Sequence, residues 1–202
     1  GPWIVPRQWE FHQDNNITVR PPAEIVQAMH NAKPCGRLPL DNVKRLTGNW
    51  KIFESKKSAV SKSESGGSLF VPDIPQNFYL EADVTFDKNN MDIRILFNLN
   101  ENLDEGYILS LMPDDDIAIL RGTSYWDTNR ELVTKPIELE PGSPIKVRMF
   151  RTGTIVDIFV DDKSTVTHRL FQSSWSNIAL EFVDGTGGFE KIFICELPEV
   201  EL

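Results

Sequence analysis

Apolar and polar side chains alternate with a period of two through most of this chain. The clearest stretch is FYLEADVTF (78–86), in which every second residue, beginning with Phe78, is apolar. Successive side chains of a β-strand point to opposite faces, so this pattern predicts half-buried strands. Shorter stretches of the same kind follow, with turn residues between them: MDIRILFNL, GYILSLM, IAILRG, PIKVRMF, TIVDIFV, TVTHRLF, NIALEFV and FEKIFICEL.

Many short strands with almost no helix predict an all-β fold, and we predict an antiparallel β-sandwich of the jelly-roll kind over residues 47–202. Residues 1–46 have a different pattern. RQWEF and NITVRP flank the turn-forming HQDNN, which predicts a short hairpin, and PPAEIVQAMHNA predicts one helix. We expect Trp3, Trp9 and Trp50 to be buried between this leader and the sandwich.

The charge of the chain narrows the choice of partners. Its 202 residues carry a formal net charge of −9, which disfavours nucleic acid, whose phosphates select basic surfaces. A neutral glycan would be indifferent to that charge. No apolar run approaches the ~20 residues that a membrane helix requires, so no membrane span is predicted. The opening GPWIVPRQWEF lacks the basic and long apolar regions of a signal peptide, and none is expected here.

The residues that most often bind metals are sparse and scattered. Cys35 and Cys195 are the only cysteines, too few for a disulfide scaffold or a cysteine-based zinc site. The sequence allows either a bond between them or two buried free thiols. His12, His30 and His168 form no metal-binding spacing. We predict no metal and no cofactor.

Two groups of acidic residues have the chemistry for a site. Glu81 and Asp83 are two residues apart and share one side of a strand, which resembles the start of the E-x-D-x-x-E signature of laminarinase-like glycosidases. Phe86 occupies the position of the final acid, so a polar outward strand face is the favoured interpretation. The run Asp114–Asp116 has consecutive acids that point in different directions, and a solvated turn is favoured over a calcium site.

The stretch IVDIFVDDKSTVTHRLF (155–171) predicts two strands joined by a VDDK turn. We expect Asp157 and Arg169 to lie on the wetter side of this hairpin, where ionic or hydrogen-bonding contacts across the strands need no ligand. His168 shares its parity with apolar neighbours. A partly buried imidazole is therefore favoured over a catalytic one.

The stretch RGTSYWDTNRE (121–131) combines aromatic and polar side chains. Aromatic rings stack on the C–H faces of sugars, while arginine and aspartate form hydrogen bonds with sugar hydroxyls. The stretch therefore predicts a carbohydrate-binding patch. Its members are Arg121, Tyr125, Trp126, Asp127 and Arg130. The alternative, that Trp126 packs on a core edge or on a neighbouring domain, remains open.

Nearly the whole chain resembles the linker and C-terminal β-sandwich of glycoside hydrolase family 32, the fructan and sucrose hydrolases. WIVPRQWEFHQDNNITVRPPAEIVQAMHNA is similar to the linker that leaves the catalytic β-propeller of that family. The matching positions are Pro6, Arg7, Val19, Pro22, Glu24 and Ile25. PIKVRMFRTGTIVDIFVDDKSTVTHRLF, GYILSL and GFEKIFICEL are similar to parts of the sandwich. The resemblance implies a concanavalin A-like sandwich, related to fructan-binding modules.

The same resemblance implies a non-catalytic role. The family motifs W-M-N-D-P-N-G, R-D-P and E-C-P do not occur in this chain, and no catalytic residue is predicted. The implied partners are an upstream catalytic domain and an oligo- or polysaccharide such as fructan, in a secreted protein that is extracellular or periplasmic. Two alternatives remain open: an independent carbohydrate-binding module, and a jelly-roll glycosidase that uses Glu81.

Overall fold

The strands of this protein form two large antiparallel sheets and one small hairpin. The computed structural model describes residues 4–14, 16–32, 43–45, 47–53, 55, 57–90, 92–123, 130–170 and 177–197. In chain order the elements are β1 (Gln8–Phe11), β2 (Ile17–Arg20), α1 (Ala23–Asn31), β3 (Lys44–Arg45), β4 (Trp50–Phe53), β5 (Ser58–Ser61), β6 (Gly67–Val71), β7 (Phe78–Phe86), β8 (Asp92–Leu99), β9 (Gly106–Met112), β10 (Ile117–Thr123), β11 (Arg130–Pro136), β12 (Ile145–Thr152), β13 (Ile155–Val160), β14 (Ser164–Arg169), β15 (Asn177–Val183) and β16 (Gly187–Glu196).

Each large sheet has seven strands. The front sheet has the order β11-β10-β9-β8-β15-β6-β3, and the back sheet has the order β14-β13-β12-β7-β16-β5-β4. β1 and β2 pair only with each other. The all-β sandwich with one hairpin and one helix is thereby confirmed. The boundary between leader and sandwich after residue 46 remains a prediction; β3 already pairs with β6 of the front sheet.

The core lies between the two sheets, where the alternation predicts it. Leu80 and Val84 of the back sheet and Ile95 of the front sheet are almost completely buried in one apolar cluster. Burial of each such side chain contributes about 1.5–3 kcal/mol. Trp50 is buried, but in this core between the sheets and not between leader and sandwich as predicted; its indole N–H donates to the carbonyl of Thr47 at 3.1 Å. Trp3 lies outside the described residues. Among the described residues, no helix is long and apolar enough to cross a bilayer.

The leader packs on the outer face of the back sheet. A second apolar cluster forms there, made of Val5, Tyr79, Phe150, Phe159, Phe193, Cys195 and Leu197, with Ile25, Met29 and Ala32 against it. One face of the hairpin carries Trp9, Phe11, Ile17 and Val19, because these residues are paired directly across the two strands. Val19 is buried, but Trp9 is 55% exposed. The expected burial of Trp9 between leader and sandwich is therefore wrong.

Asp157 is the polar anchor of the leader. Its side chain is 1% exposed, accepts a hydrogen bond from the backbone N–H of Val5 at 2.8 Å, and pairs with Arg7 at 3.1 Å. Thr167, its partner across the β13–β14 pair, donates its hydroxyl to the same carboxylate. The expectation that Asp157 lies on the wetter side is wrong, since the leader covers it; Arg169 is exposed and opposite Ile155.

Two other expectations for this hairpin are confirmed. His168 is partly buried. The VDDK turn connects β13 to β14, and Asp161 and Asp162 take the left-handed conformation with φ of 51° and 52°. This conformation suits a two-residue turn between twisted strands. The turn also holds the leader, because the carbonyl of Asp162 accepts the N–H of Val19 at 2.7 Å.

We predict that Asp157→Ala detaches the leader. Removal of the buried carboxylate leaves Arg7 and the N–H of Val5 without their partner, which should lower the free energy of unfolding by about 2–3 kcal/mol. Urea denaturation measures this loss. Amide exchange at Val5 and Val19 should accelerate at least tenfold. Asp115→Ala, at an exposed turn, is the matched control, and unchanged exchange in the Asp157 variant would contradict the prediction.

Candidate functional site

A cluster of charged and hydroxyl side chains lies on the outer face of the front sheet. We call it the front-face cluster; its members are Ser68, Asp92, Arg94, Ser110, Arg121 and Glu181. Strand pairing places Glu181 opposite both Ser68 and Arg94, and Arg94 opposite Ser110. Because directly paired residues share a face, four neighbouring strands contribute one row of polar side chains.

Arg94 is the centre of this row. Its Nε donates to Oδ2 of Asp92 at 2.7 Å, and its Nη1 donates to Oε2 of Glu181 at 3.0 Å. Ser68 donates its hydroxyl to the other oxygen of Glu181 at 2.5 Å. Burial alone would lower the pKa of Arg94, but the hydrogen bonds and charges of Asp92 and Glu181 raise it above its ordinary value. The guanidinium is thus held charged and oriented.

Asp92 and Arg121 each have a polar atom that no described residue pairs with. Asp92 is only 5% exposed, and its Oδ2 lies 4.0 Å from Nη1 of Arg121 and accepts the hydroxyl of Ser110 at 3.4 Å. Oδ1 of Asp92 and Nε of Arg121 are buried without a hydrogen-bond partner among the described residues. An unpaired buried polar group costs about 1–3 kcal/mol. A hydroxyl group, which both donates and accepts, is a chemically suitable partner for them.

An apolar row borders these polar groups on the same face. Strand pairing aligns Phe70, Ala179, Leu96 and Ile108, and the row continues through the charged pair of Arg121 and Glu131. The pairing of β10 with β11 shifts register beside Arg121. Such irregularities re-aim side chains. Here the Arg121 guanidinium extends to Met112, with Nη2 at 3.3 Å from the sulfur.

The predicted carbohydrate-binding patch is only partly within the described structure. Arg121 belongs to the front-face cluster. Tyr125, Trp126 and Asp127 lie outside the described residues, as does the side chain of Arg130, whose backbone pairs with Gly122.

The front-face residues Asp92, Arg94 and Glu181 were not predicted from the sequence. They could have been noticed as charged residues on the polar faces of two predicted strands, MDIRILFNL and NIALEFV. Nothing local indicated that these two strands are neighbours.

Glu81 and Asp83 lie on the opposite side of the molecule, on the outer face of the back sheet. Glu81 accepts hydrogen bonds from the hydroxyl of Tyr79 at 2.6 Å and from Arg148 at 2.9 Å. Asp83 accepts from Lys146 and Lys191, both at 2.6 Å. These positions agree with the polar outward face that the sequence favoured.

The ionisation of these acids does not suit a glycosidase. Burial would raise the pKa of Glu81 and of Asp83, but the hydrogen bonds and nearby positive charges outweigh it and lower both. A glycosidase needs one carboxyl with a raised pKa to protonate the leaving group. Neither residue has that property, so the arrangement does not support the glycosidase alternative.

The remaining candidate groups are the acidic turn Asp114–Asp116 and the two cysteines. Pro113–Asp115 forms a 3-10 turn, and Asp116 follows in the left-handed conformation. Within the described residues, no group of three or more His, Cys, Asp or Glu side chains is placed to hold a metal ion. Cys195 is buried, and burial raises the pKa of its thiol. Cys35 lies outside the described residues, so the pairing of the two cysteines remains open.

The sequence matches no protein-family model, and it matches no curated protein. Solved structures do resemble it. A carbohydrate-binding module, CBM66 from Bacillus subtilis, has a TM-score of 0.63 at 14% identity over 77% of this chain and 95% of the module. Galectins and glycoside hydrolase sandwich domains are also among the structural neighbours.

Two longer proteins match more of the chain. A. japonicus CB05 has a TM-score of 0.63 at 10% identity over 95% of this chain and 31% of that protein. The sucrose-6-phosphate hydrolase from Lactobacillus gasseri has a TM-score of 0.52 at 16% identity over 91% of this chain and 32% of that protein. This chain therefore spans about a third of each. At these identities the likeness shows a shared fold, the antiparallel β-sandwich.

We predict that the ion pairs of Glu81 and Asp83 make the fold acid-sensitive. Because both pKa values are lowered in the folded state, their contribution is present above the ordinary values of 4.5 and 3.8 and is lost as the pH falls through the folded values. Denaturation from pH 6 downward should show stability declining below about pH 4.5. Glu81→Gln should flatten this decline, whereas Glu138→Gln, at an exposed position, should not. Equal slopes would contradict the prediction.

Proposed function

We propose that this chain is a non-catalytic carbohydrate-binding sandwich of a fructan-type glycoside hydrolase, and that the front-face cluster contacts sugar hydroxyls. The observation that carries the proposal is the buried Asp92, one of whose carboxylate oxygens has no hydrogen-bond partner in the described part of the chain, inside a hydrogen-bonded set of charged side chains. The chemistry of that set matches a polyol. Asp92 and Glu181 accept hydrogen bonds, and Arg94 and Arg121 donate them.

Charge favours a neutral sugar. The two arginines of the front-face cluster balance its two carboxylates, so the site has no net charge to attract an anion. The whole chain carries −9, which repels acidic polysaccharides at long range. Fructans are neutral polyols and fit both conditions. The apolar row can contact the C–H face of a sugar ring, and the polar row beside it can bind the hydroxyl groups.

The sequence-predicted patch belongs to this proposal. Residues 124–129 connect β10, which contains Arg121, to β11, which begins at Arg130. In the proposed complex Tyr125 and Trp126 supply aromatic faces for stacking, and Arg121, Asp127 and Arg130 bind hydroxyls. An extracellular or periplasmic location goes with a polymeric ligand of this kind.

Support of an upstream catalytic domain is the second part of the proposal. The two long proteins match over 91% and 95% of this chain, whereas the isolated module matches over 77%. The exposed apolar side chains Trp9, Phe11 and Ile17 form one face of the leader hairpin, which suits contact with another folded domain. In this proposal residues 1–46 act as linker and residues 47–202 as the sandwich.

We predict that Arg94→Ala weakens sugar binding at least tenfold. The substitution removes a charged donor and the pairing that orients Asp92 and Glu181, and a hydrogen bond to a charged group contributes about 1.5–3 kcal/mol. Affinity electrophoresis in gels that contain levan or inulin measures retention. Arg169→Ala, an exposed arginine on the back sheet, is the matched control.

Trp126→Ala tests the predicted patch in the same gels. Loss of retention in this variant and in the Arg94 variant supports one shared site. Retention that neither substitution changes would contradict carbohydrate binding at this face.

We predict that Trp9→Ser with Phe11→Ser leaves the stability of this chain within about 1 kcal/mol, because both side chains are exposed. In the full-length polypeptide the same change should expose the leader to limited proteolysis.

The upstream reading frame gives an independent check. A frame without the motifs W-M-N-D-P-N-G, R-D-P and E-C-P would contradict the catalytic-domain partner.

A further inference from the structure

A groove lies at the β3–β6 edge of the front sheet. It has a volume of about 410 Å³ and is lined by Lys44, Phe70, Pro72, Asp73, Glu101 and Asn177. This volume is within the range of about 300–1,000 Å³ that is typical of small-molecule sites.

The groove and the front-face cluster occupy one continuous surface. Phe70 is two residues after Ser68 on β6, so it shares the outer face and lies about 7 Å farther along the strand. Asn177 is four residues before Glu181 on β15, about 13 Å along that strand. Phe70 and Ala179 are paired, and they continue the apolar row toward Leu96. No strand separates the two sites.

The chemistry of the groove is that of a second sugar site. Phe70, 9% exposed, forms an apolar floor, while the exposed Lys44, Asp73 and Glu101 form a charged rim. Part of the rim is preformed: Asn177 donates to the carbonyl of Leu99 at 3.1 Å and accepts the N–H of Asp73 at 3.3 Å. Because these rim groups are already held in place, little conformational entropy is lost when a ligand binds.

We propose that this groove is a second subsite for the same glycan, so the ligand is an oligosaccharide of neutral sugars bound along the front sheet, rather than one terminal sugar. This inference rests on the proposed function of the front-face cluster. The distance between the two sites calls for a chain of several sugar units. Lys44, Asp73 and Glu101 together carry one net negative charge, which disfavours uronic acids in the groove.

Titration calorimetry with fructose and with inulin- and levan-type oligosaccharides, from disaccharide to hexasaccharide, tests the inference. Affinity should rise at least tenfold from fructose to the longer oligosaccharides of one series. Lys44→Ala combined with Glu101→Ala should remove most of that rise and leave fructose binding unchanged. Both positions are exposed, so this variant should fold.

The controls separate the two proposals. Lys51→Ala, an exposed lysine on the back sheet, should leave the length dependence intact. Arg94→Ala should weaken binding of every length. Equal affinity for fructose and the hexasaccharide, or a length dependence that survives the Lys44/Glu101 variant, overturns the second subsite and leaves the first standing. If no sugar in either series binds, the fructan-binding function and the second subsite both fail.

Discussion

A strand that alternates with a period of two commits one of its faces to the core, and this constraint governs the whole molecule. Leu80, Val84 and Ile95 fill the space between the sheets, which leaves little room for an interior site. Chemistry must then lie on the outer face of one sheet or the other. The leader covers part of the outer face of the back sheet, through the cluster around Tyr79 and Phe193. The front-face cluster lies on the outer face of the other sheet.

The two outer faces use the same residue types with different results. On the back sheet, Glu81 and Asp83 find cations in Arg148, Lys146 and Lys191, and lysine side chains reach both oxygens of Asp83. That arrangement stabilises the charges of the folded state, and the carboxylates gain little from a further hydrogen-bond partner such as a ligand. On the front sheet, the residues that the structure describes pair with one oxygen of Asp92 and not with the other. The difference between a structural network and a candidate binding site therefore lies in which hydrogen-bonding atoms remain unpaired, not in composition.

The sequence predicted what depends on near neighbours and missed what depends on distant ones. The strands, the VDDK turn and the partly buried His168 follow from local parity and turn chemistry, and all three are found. Asp157 was misjudged because its partners Val5 and Arg7 are 152 and 150 residues away. Asp92 and Glu181 were missed for the same reason: β8 and β15 are adjacent only because the chain returns to the front sheet after building most of the back sheet. The burial of Trp9 was predicted wrongly because it depends on how the hairpin packs against the sandwich, which the local sequence does not indicate.

The position of the leader has a consequence for how the two proposed partners combine. Asp157 and Asp162 hold the leader against the outer face of the back sheet, while Arg94 lies on the outer face of the front sheet. A domain that contacts the hairpin at Trp9 therefore uses a surface that includes no member of the front-face cluster, the proposed sugar site. The core between the sheets separates the two surfaces, so neither partner has to displace the other. Catalytic-domain support and glycan binding are then compatible roles of one sandwich, each carried by its own face.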